Sequence, residues 1–71
     1  MNLQDAILKE VMNERIPVTL YLMNGFQMRG VIIAYDSVVV VLVTEGKQQM
    51  IYKHGISTVA PTRPVKAALP K

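Results

Sequence analysis

Apolar residues in the first part of the chain follow a helical period. They stand at i, i+4, i+5 and i+8 and would form one stripe: Leu3, Ile7, Leu8 and Val11. Asn2 can cap such a helix, and Asp5 suits its first turn, where the helix dipole favours an acid. Pro17 cannot continue the helix and biases Ile16 towards extended geometry. The pattern predicts a short amphipathic helix over residues 3–13.

After this helix the pattern changes to short β-prone segments separated by turn residues. The segments cover residues 17–23, 26–36, 38–43, 48–53 and 56–60. Asn24-Gly25 joins the first two, and this dipeptide favours a type I′ turn because both positions tolerate positive φ. The later breaks fall at residues 44–47 and at His54-Gly55. Gly30 interrupts the second segment, which indicates a sharp bend or a bulge.

The third β-prone segment and the end of the chain differ sharply in composition. Residues 38–43 are five valines and one leucine, which is typical of a strand buried on both faces. Residues 63–71 contain little to bury, and prolines punctuate them, so we predict a disordered basic tail. The remainder, residues 1–62, is predicted to be one domain, mainly β with one N-terminal helix. Its five strands would form a small, strongly bent, partly open barrel.

Composition indicates that this domain associates with further copies of itself. The chain has 71 residues, 51% of them hydrophobic, and no cysteine. A core of this size gives marginal stability alone, and neither disulfides nor a thiolate zinc site can add to it. An open barrel also leaves two strand edges. Pairing those edges between copies would close a ring and cover both of them.

The net charge of +3 is unevenly distributed. Residues 1–62 carry five basic and five acidic side chains, whereas the tail adds three bases and no acid. An anion-binding surface on the folded part must therefore be local or be built by repeating a few cations. The N-terminus lacks the features of a signal peptide, and no apolar run reaches the ~20 residues that span a bilayer. We expect a cytoplasmic protein without a membrane partner.

Candidate chemistry is concentrated in Tyr52-Lys53-His54, where an aromatic ring, a permanent cation and a titratable imidazole are consecutive. Lysine can neutralise a phosphate, and imidazole can donate to a phosphate or to a base edge. A single histidine between strands is more often structural, so His54 alone is a weak indication. No nucleophile paired with a base, phosphate-binding glycine loop or metal-ligand set is recognisable. The sequence predicts a binding protein without metal or cofactor, and not an enzyme.

The chain resembles the Hfq family, the bacterial Sm-like RNA chaperones, from Leu3 to Val65. The specific signal is the order and spacing of Asn24-Gly25, Tyr52-Lys53-His54 and Ile56-Ser57-Thr58. Further matching positions are Leu3-Gln4-Asp5, Val18 to Leu22, Gly30, Asp36 and Gln49. The resemblance implies an Sm-like (SH3-like) fold assembled as a homohexameric ring, in which the last two strands of adjacent subunits pair. It also implies three RNA-binding surfaces: a proximal face, a distal face and a rim.

On the proximal face the family binds U-rich RNA near the pore. The matching residues are Gln4, Ser37, Val38, Lys53 and His54, and Asp5 and Asp36 match as well. One lysine per subunit would give a cationic ring around the pore. The family usually has an aromatic where this chain has Val38. Because stacking contributes roughly 1–3 kcal/mol per base and valine has no π face, we expect reduced affinity for uridine.

On the distal face the family binds A-rich RNA. The matching residues are Tyr21, Asn24, Gly25, Phe26, Gln27, Met28, Arg29, Gln49 and Thr58. Tyr21 and Phe26 could stack bases, and Gln49 offers a donor and an acceptor to adenine. By themselves these side chains could equally belong to the core or the exterior of a barrel.

The rim and the subunit interface complete the implied sites. The matching rim residues are Asn13 and Arg15, next to Glu14, so we expect weak annealing activity from this surface. Tyr52 is predicted to join subunits rather than to contact RNA.

The resulting interpretation is a homohexameric chaperone that binds single-stranded RNA and promotes pairing of small regulatory RNAs with messenger RNAs. The alternative is an Sm-like scaffold that acts mainly through protein partners and binds RNA weakly.

Overall fold

The structure, a computed structural model, describes residues 3–68. It contains one α-helix, five β-strands and two short 3₁₀ segments. The helix and strands are α1 (Leu3–Asn13), β1 (Val18–Leu22), β2 (Gln27–Tyr35), β3 (Val39–Thr44), β4 (Lys47–Tyr52) and β5 (Ile56–Pro61). The 3₁₀ segments are Lys53–Gly55 and Lys66–Ala68. The predicted helix followed by five strands is confirmed. Asn2, the predicted helix cap, lies outside the described residues.

All five strands form one antiparallel sheet in the order β4-β3-β2-β1-β5. β2 serves both halves of this sheet, since its first part pairs with β1 and its second part with β3. The change occurs at Gly30, which is opposite Val18, whereas the next residue, Val31, is opposite Val43. A Cβ atom on Gly30 would overlap the carbonyl oxygen of Val43. Glycine is therefore required for this close approach between the strands.

The hydrophobic core lies between α1 and the inner face of the sheet. The helix contributes two buried residues, Leu8 and Val11, while Leu3 at its start is exposed. The other buried apolar residues are Ile16, Val18, Leu20, Ile32, Val40, Leu42 and Val65. The helical stripe predicted from sequence is thus buried at its centre and exposed at its first residue.

β3 is buried on one face in the single chain. Val40 and Leu42 are fully buried, whereas Val39, Val41 and Val43 on the opposite face are partly accessible. The prediction that both faces are buried is therefore wrong for the isolated subunit. The physical reason is that the domain places a helix on only the inner face of its sheet, so the outer face has no covering layer.

The two hairpin turns differ in type, and the first differs from the predicted one. At Asn24-Gly25 only Gly25 has a positive φ, of 92°, and the N–H of Gly25 donates to the carbonyl of Leu22 over 3.0 Å. This is a three-residue loop closed by a left-handed glycine, so the predicted type I′ turn is wrong here. Glu45 and Gly46 both have positive φ, of 52° and 77°, which is the type I′ pattern.

The helix ends in a Schellman motif that places an arginine in the left-handed region. The N–H of Ile16 donates to the carbonyl of Val11 over 2.9 Å, and the N–H of Arg15 donates to that of Met12 over 3.3 Å. Arg15 has φ 52°, where glycine is the usual residue. The motif turns the chain so that the buried Ile16 follows the helix directly into the core.

The end of the chain folds back onto α1. We call residues 63–68 the strap. Val65 is 4% exposed and belongs to the core, and Lys66–Ala68 form a 3₁₀ segment. We predicted that residues 63–68 belong to a disordered tail, whereas the structure places them against α1 through one buried valine and several polar contacts. The rest of the predicted tail, residues 69–71, lies outside the described residues.

Candidate functional site

A polar cavity of about 500 Å³ lies where three elements meet: the first turn of α1, the loop between β2 and β3, and the 3₁₀ segment after β4. Its lining residues are Gln4, Asp5, Ser37, Val38, Lys53 and His54. These include all five residues predicted for the proximal face. The fold therefore brings together side chains that are up to 50 positions apart in the sequence (Gln4 to His54).

Lys53 is the central cation of this cavity, and it is already paired. Its Nζ lies 3.1 Å from Oδ1 of Asp5 and 5.4 Å from the centroid of the Tyr35 ring. The Lys53 side chain is only 13% exposed. The Tyr35 hydroxyl also donates to the backbone carbonyl of Asp5 over 3.3 Å. An incoming phosphate would therefore share or replace the carboxylate of Asp5 as the partner of the ammonium group.

Asp36 shapes the loop that carries Ser37 and Val38. Its Oδ1 accepts hydrogen bonds from the N–H of Val38 at 2.7 Å and the N–H of Val39 at 2.9 Å. These two bonds, with a smaller contribution from the charge of Lys53, lower the pKa of Asp36. The N–H of Lys53 in turn donates to the carbonyl of Val38 over 2.8 Å. Val38 is thus held at the cavity by its backbone while its side chain remains 52% exposed.

Tyr52 and His54 lie on either side of Lys53 and contact one another. Their ring centroids are 5.7 Å apart and their planes are tilted by 34°. His54 also lines a second depression, together with Met50 and Tyr52 of β4 and with Met23, which follows β1. Because β4 is an edge strand, exposed Tyr52 lies where a further strand could pair.

The residues predicted for the distal face do not form one cavity in the single chain. Tyr21 is directly opposite Gln27 in β2 and Thr58 in β5, and Arg29 is opposite Thr19, two residues before Tyr21. Cross-strand neighbours share a face of a sheet, so these four predicted residues form a patch on the outer face. All four are exposed.

The other predicted distal residues lie elsewhere. Asn24, Gly25 and Phe26 form the hairpin tip, where the Asn24 side-chain oxygen accepts the N–H of Phe26 over 3.1 Å. Met28 packs against the core, because it is opposite the buried Leu20. Gln49 is opposite the buried Leu42 and so projects from the inner face of the sheet, although it is exposed. Met28 and Gln49 thus project from the face of the sheet opposite to Tyr21. Their assignment to the distal face of a ring stays a prediction.

The predicted rim residues lie at the end of α1. Asn13 is the last helical residue and Arg15 occupies the left-handed position after it, and both are exposed. The sequence interpretation missed the strap beside them. Its signal was Val65, an apolar residue within the predicted tail that packs in the core. The role of Tyr35 beside Lys53 was also missed, because it depends on a contact between distant elements.

Within residues 3–68, no cluster of three or more histidine, cysteine, aspartate or glutamate side chains is arranged to hold a metal ion. In the same part of the chain, no helix is both long enough and apolar enough to cross a membrane.

An N-terminal helix on a five-stranded antiparallel sheet, with a lysine–histidine cavity at the start of the helix, defines an Sm-like protein. The crystal structure of an Hfq protein from Anabaena sp. shares this fold with a TM-score of 0.75 at 22% identity, covering 82% of this chain and 93% of that one. A crystal structure of the pleiotropic translational regulator Hfq matches with a TM-score of 0.81 at 49% identity, covering 83% of this chain and 98% of that one.

Sequence comparison identifies the family. The model of the Hfq protein family matches residues 3–66. The RNA-binding protein Hfq of Pelotomaculum thermopropionicum is 53% identical over 96% of this chain and 82% of its own length. That of Carboxydothermus hydrogenoformans is 52% identical over the whole chain and 84% of its own length. The chain belongs to the Hfq family, a family of RNA-binding chaperones rather than enzymes.

Proposed function

We propose that this protein binds single-stranded RNA as a homohexameric ring and promotes the pairing of small regulatory RNAs with messenger RNAs in the cytoplasm. The observation that carries the proposal is the cavity that contains Lys53 and His54 together with Gln4, Ser37 and Val38. It supplies a cation and an imidazole beside polar groups, which suits a phosphate and a base edge. The relatives named RNA-binding protein Hfq support the same ligand.

The two free edges of the sheet support the ring. β4 and β5 are the outermost strands, so each has one side without a strand partner in the described chain. β4 carries the exposed apolar side chains of Met50 and Tyr52. Pairing β4 of one subunit with β5 of the next would satisfy both edges and cover Met50 and Tyr52. Repetition would then place one Lys53 per subunit around a common axis.

The two RNA surfaces are expected to differ in strength. Val38 offers no aromatic face, so binding of U-rich RNA would depend on Lys53, His54 and polar contacts. The outer patch around Tyr21, together with exposed Phe26, offers aromatic rings for A-rich RNA. Two RNAs held on separate surfaces of one ring would have a high effective concentration for pairing.

Face-specific variants test this proposal. Lys53→Ala should weaken binding of a U-rich oligonucleotide more than that of an A-rich one, because it removes the cation of the cavity. Tyr21→Ala and Phe26→Ala should weaken A-rich binding about fivefold or more, the effect of losing one stacked base. Fluorescence anisotropy with both oligonucleotides measures each effect, and Lys47→Ala, an exposed lysine outside both surfaces, is the control.

The reverse ranking of these variants would show that the faces are wrongly assigned. If the unmodified protein bound neither oligonucleotide even at low salt, RNA binding itself would be refuted. The result would then favour an Sm-like scaffold that acts through protein partners.

A further inference from the structure

The strap is fixed to α1 by an apolar anchor and by one carboxylate. Val65 is buried in the core, 4% exposed. Beyond it, the N–H of Lys66 donates to Oε2 of Glu10 at 2.7 Å, and the N–H of Ala67 donates to Oε1 at 3.0 Å. Both oxygens of Glu10 are thus used by the backbone of the strap. These bonds, that from Lys66 first, lower the pKa of Glu10, which keeps the carboxylate charged while the strap is docked.

The strap also changes the charge of the helix surface beside the predicted rim. From Lys9 to Arg15 the helix and its end carry two bases and two acids, Glu10 and Glu14. The strap adds Arg63, whose Nη2 lies 3.1 Å from Oε1 of Glu14, and Lys66. With the strap docked, Lys9, Arg63 and Lys66 lie beside Glu10 and Glu14, which makes three bases against two acids. Both acids are then engaged by the strap.

A shallow depression of about 350 Å³ joins these groups to a rim residue. Asn13, Lys9 and Lys66 line it together with Glu10 and Glu14. Lys66, far from Lys9 in the sequence, thus lies on the same surface as a residue already expected to contact RNA. On this surface the helix alone presents Lys9 against Glu10 and Glu14, whereas the docked strap adds the two bases Arg63 and Lys66.

We propose that docking of the strap makes the outer face of α1 a binding surface for the phosphates of single-stranded RNA. The inference rests on the proposed function and concerns a part of the chain that the cavity and the outer patch do not use. With the strap docked, Glu10 and Glu14 are occupied, Arg63 is held by Glu14, and Lys66 lines the same depression as Asn13. With the strap released, both acids face the RNA and the added cations are no longer fixed. Binding at the rim then weakens because phosphate affinity follows the local charge.

Val65→Gln tests this inference because it removes the apolar anchor and leaves every charge in place. Hydrogen exchange should show that the amides of Lys66 and Ala67 lose protection. The affinity for an RNA that joins an A-rich to a U-rich segment should fall about three- to tenfold near 50 mM KCl, and the effect should shrink towards about 200 mM. Adding Glu10→Gln and Glu14→Gln to Val65→Gln should restore most of the affinity, because the repelling acids are gone.

Two further variants keep the test decisive. Ala67→Pro removes one N–H donor to Glu10 and disfavours the helical conformation of Lys66 without touching the core or a charge, so it should reproduce the loss if Val65→Gln does not fold. Ile33→Gln also replaces a β-branched aliphatic side chain by Gln, but on an exposed strand residue, and this variant should bind RNA like the unmodified protein.

Unchanged RNA affinity in a variant whose strap amides exchange freely would overturn the inference, as would failure of the triple variant to recover. Separate short A-rich and U-rich oligonucleotides distinguish this from a failure of the proposed function. If they bind normally while the joined RNA ignores strap release, only the role of the strap is refuted. If the unmodified protein binds none of the three RNAs, the proposed function fails and the inference fails with it.

Discussion

At the scale of single residues, the cavity contains a lysine that already has an ion-pair partner, Lys53, and a valine, Val38, at the position where an aromatic ring would stack on a base. Lys53 is held by the carboxylate of Asp5 and the face of Tyr35, so its orientation is set before any ligand arrives. Val38 is fixed through its backbone by Asp36, and its exposed side chain leaves space for a larger one. The residues that determine affinity for uridine are therefore Lys53, which is pre-oriented, and Val38, which offers no stacking surface.

Val38→Phe should raise the affinity for U-rich RNA. A phenyl ring at this exposed position would provide a stacking surface, which contributes roughly 1–3 kcal/mol per base. Fluorescence anisotropy with a short oligouridine measures the gain. Val38→Leu is the matched control, since it enlarges the side chain without a π face and should leave the affinity nearly unchanged. Equal affinities for the Phe and Leu variants would show that residue 38 is not at the stacking position.

At the scale of elements, the sequence predicted the helix and the strands because each has a clear period or composition. It failed where contacts between distant segments decide the outcome. Burial of the faces of β3 depends on which side of the sheet the helix packs against. Docking of the strap depends on burial of Val65 in the core and on the two N–H groups that donate to Glu10. The Asn24-Gly25 dipeptide is typical of a type I′ turn, which needs positive φ at both residues. In the structure Gly25 alone takes the left-handed conformation.

The same contrast between local sequence patterns and contacts of distant segments applies to the predicted site. The five residues predicted for the proximal face line one cavity, whereas Met28 and Gln49 project from the sheet face opposite to Tyr21. A match to a family pattern assigns positions, but the register of the strands decides which face each side chain occupies.

Arg15→Gly should stabilise the domain, even though it removes a predicted rim contact. Arg15 occupies the left-handed position of the Schellman motif, where a side chain is unfavourable and glycine is not. We expect a gain of about 0.5–1 kcal/mol in the free energy of unfolding, measured by urea denaturation. Arg15→Ala is the control because it removes the same charge but keeps the Cβ atom. A gain of equal size in both variants would assign the effect to charge rather than to backbone conformation.

At the scale of the whole molecule, stability should depend on two carboxylates that accept backbone hydrogen bonds. Asp36 closes the loop between β2 and β3, and Glu10 joins the strap to α1. Backbone hydrogen bonds hold the pKa of each below its ordinary value, 3.8 for Asp36 and 4.5 for Glu10. Each group therefore stabilises the fold at pH values above its ordinary pKa. This contribution is lost as the pH falls through the lowered pKa of the folded state.

The midpoint of urea unfolding should thus change little between neutral pH and pH 5 and fall below about pH 4. Denaturation across this range measures the effect, and hydrogen exchange of the Lys66 and Ala67 amides reports release of the strap. In the double variant Asp36→Asn, Glu10→Gln the acid-dependent loss should be smaller. An acid profile identical to that of the unmodified protein would show that other carboxylates control the stability.

The central claim is that this small domain works as a ring that carries RNA on separate surfaces. Native mass spectrometry tests it most directly, because one spectrum reports the number of subunits and the bound oligonucleotides. We predict a hexamer without RNA, and hexamers that carry A-rich and U-rich oligonucleotides at the same time when both are present. A monomer at micromolar concentration, or a hexamer on which the two oligonucleotides exclude each other, would contradict the account.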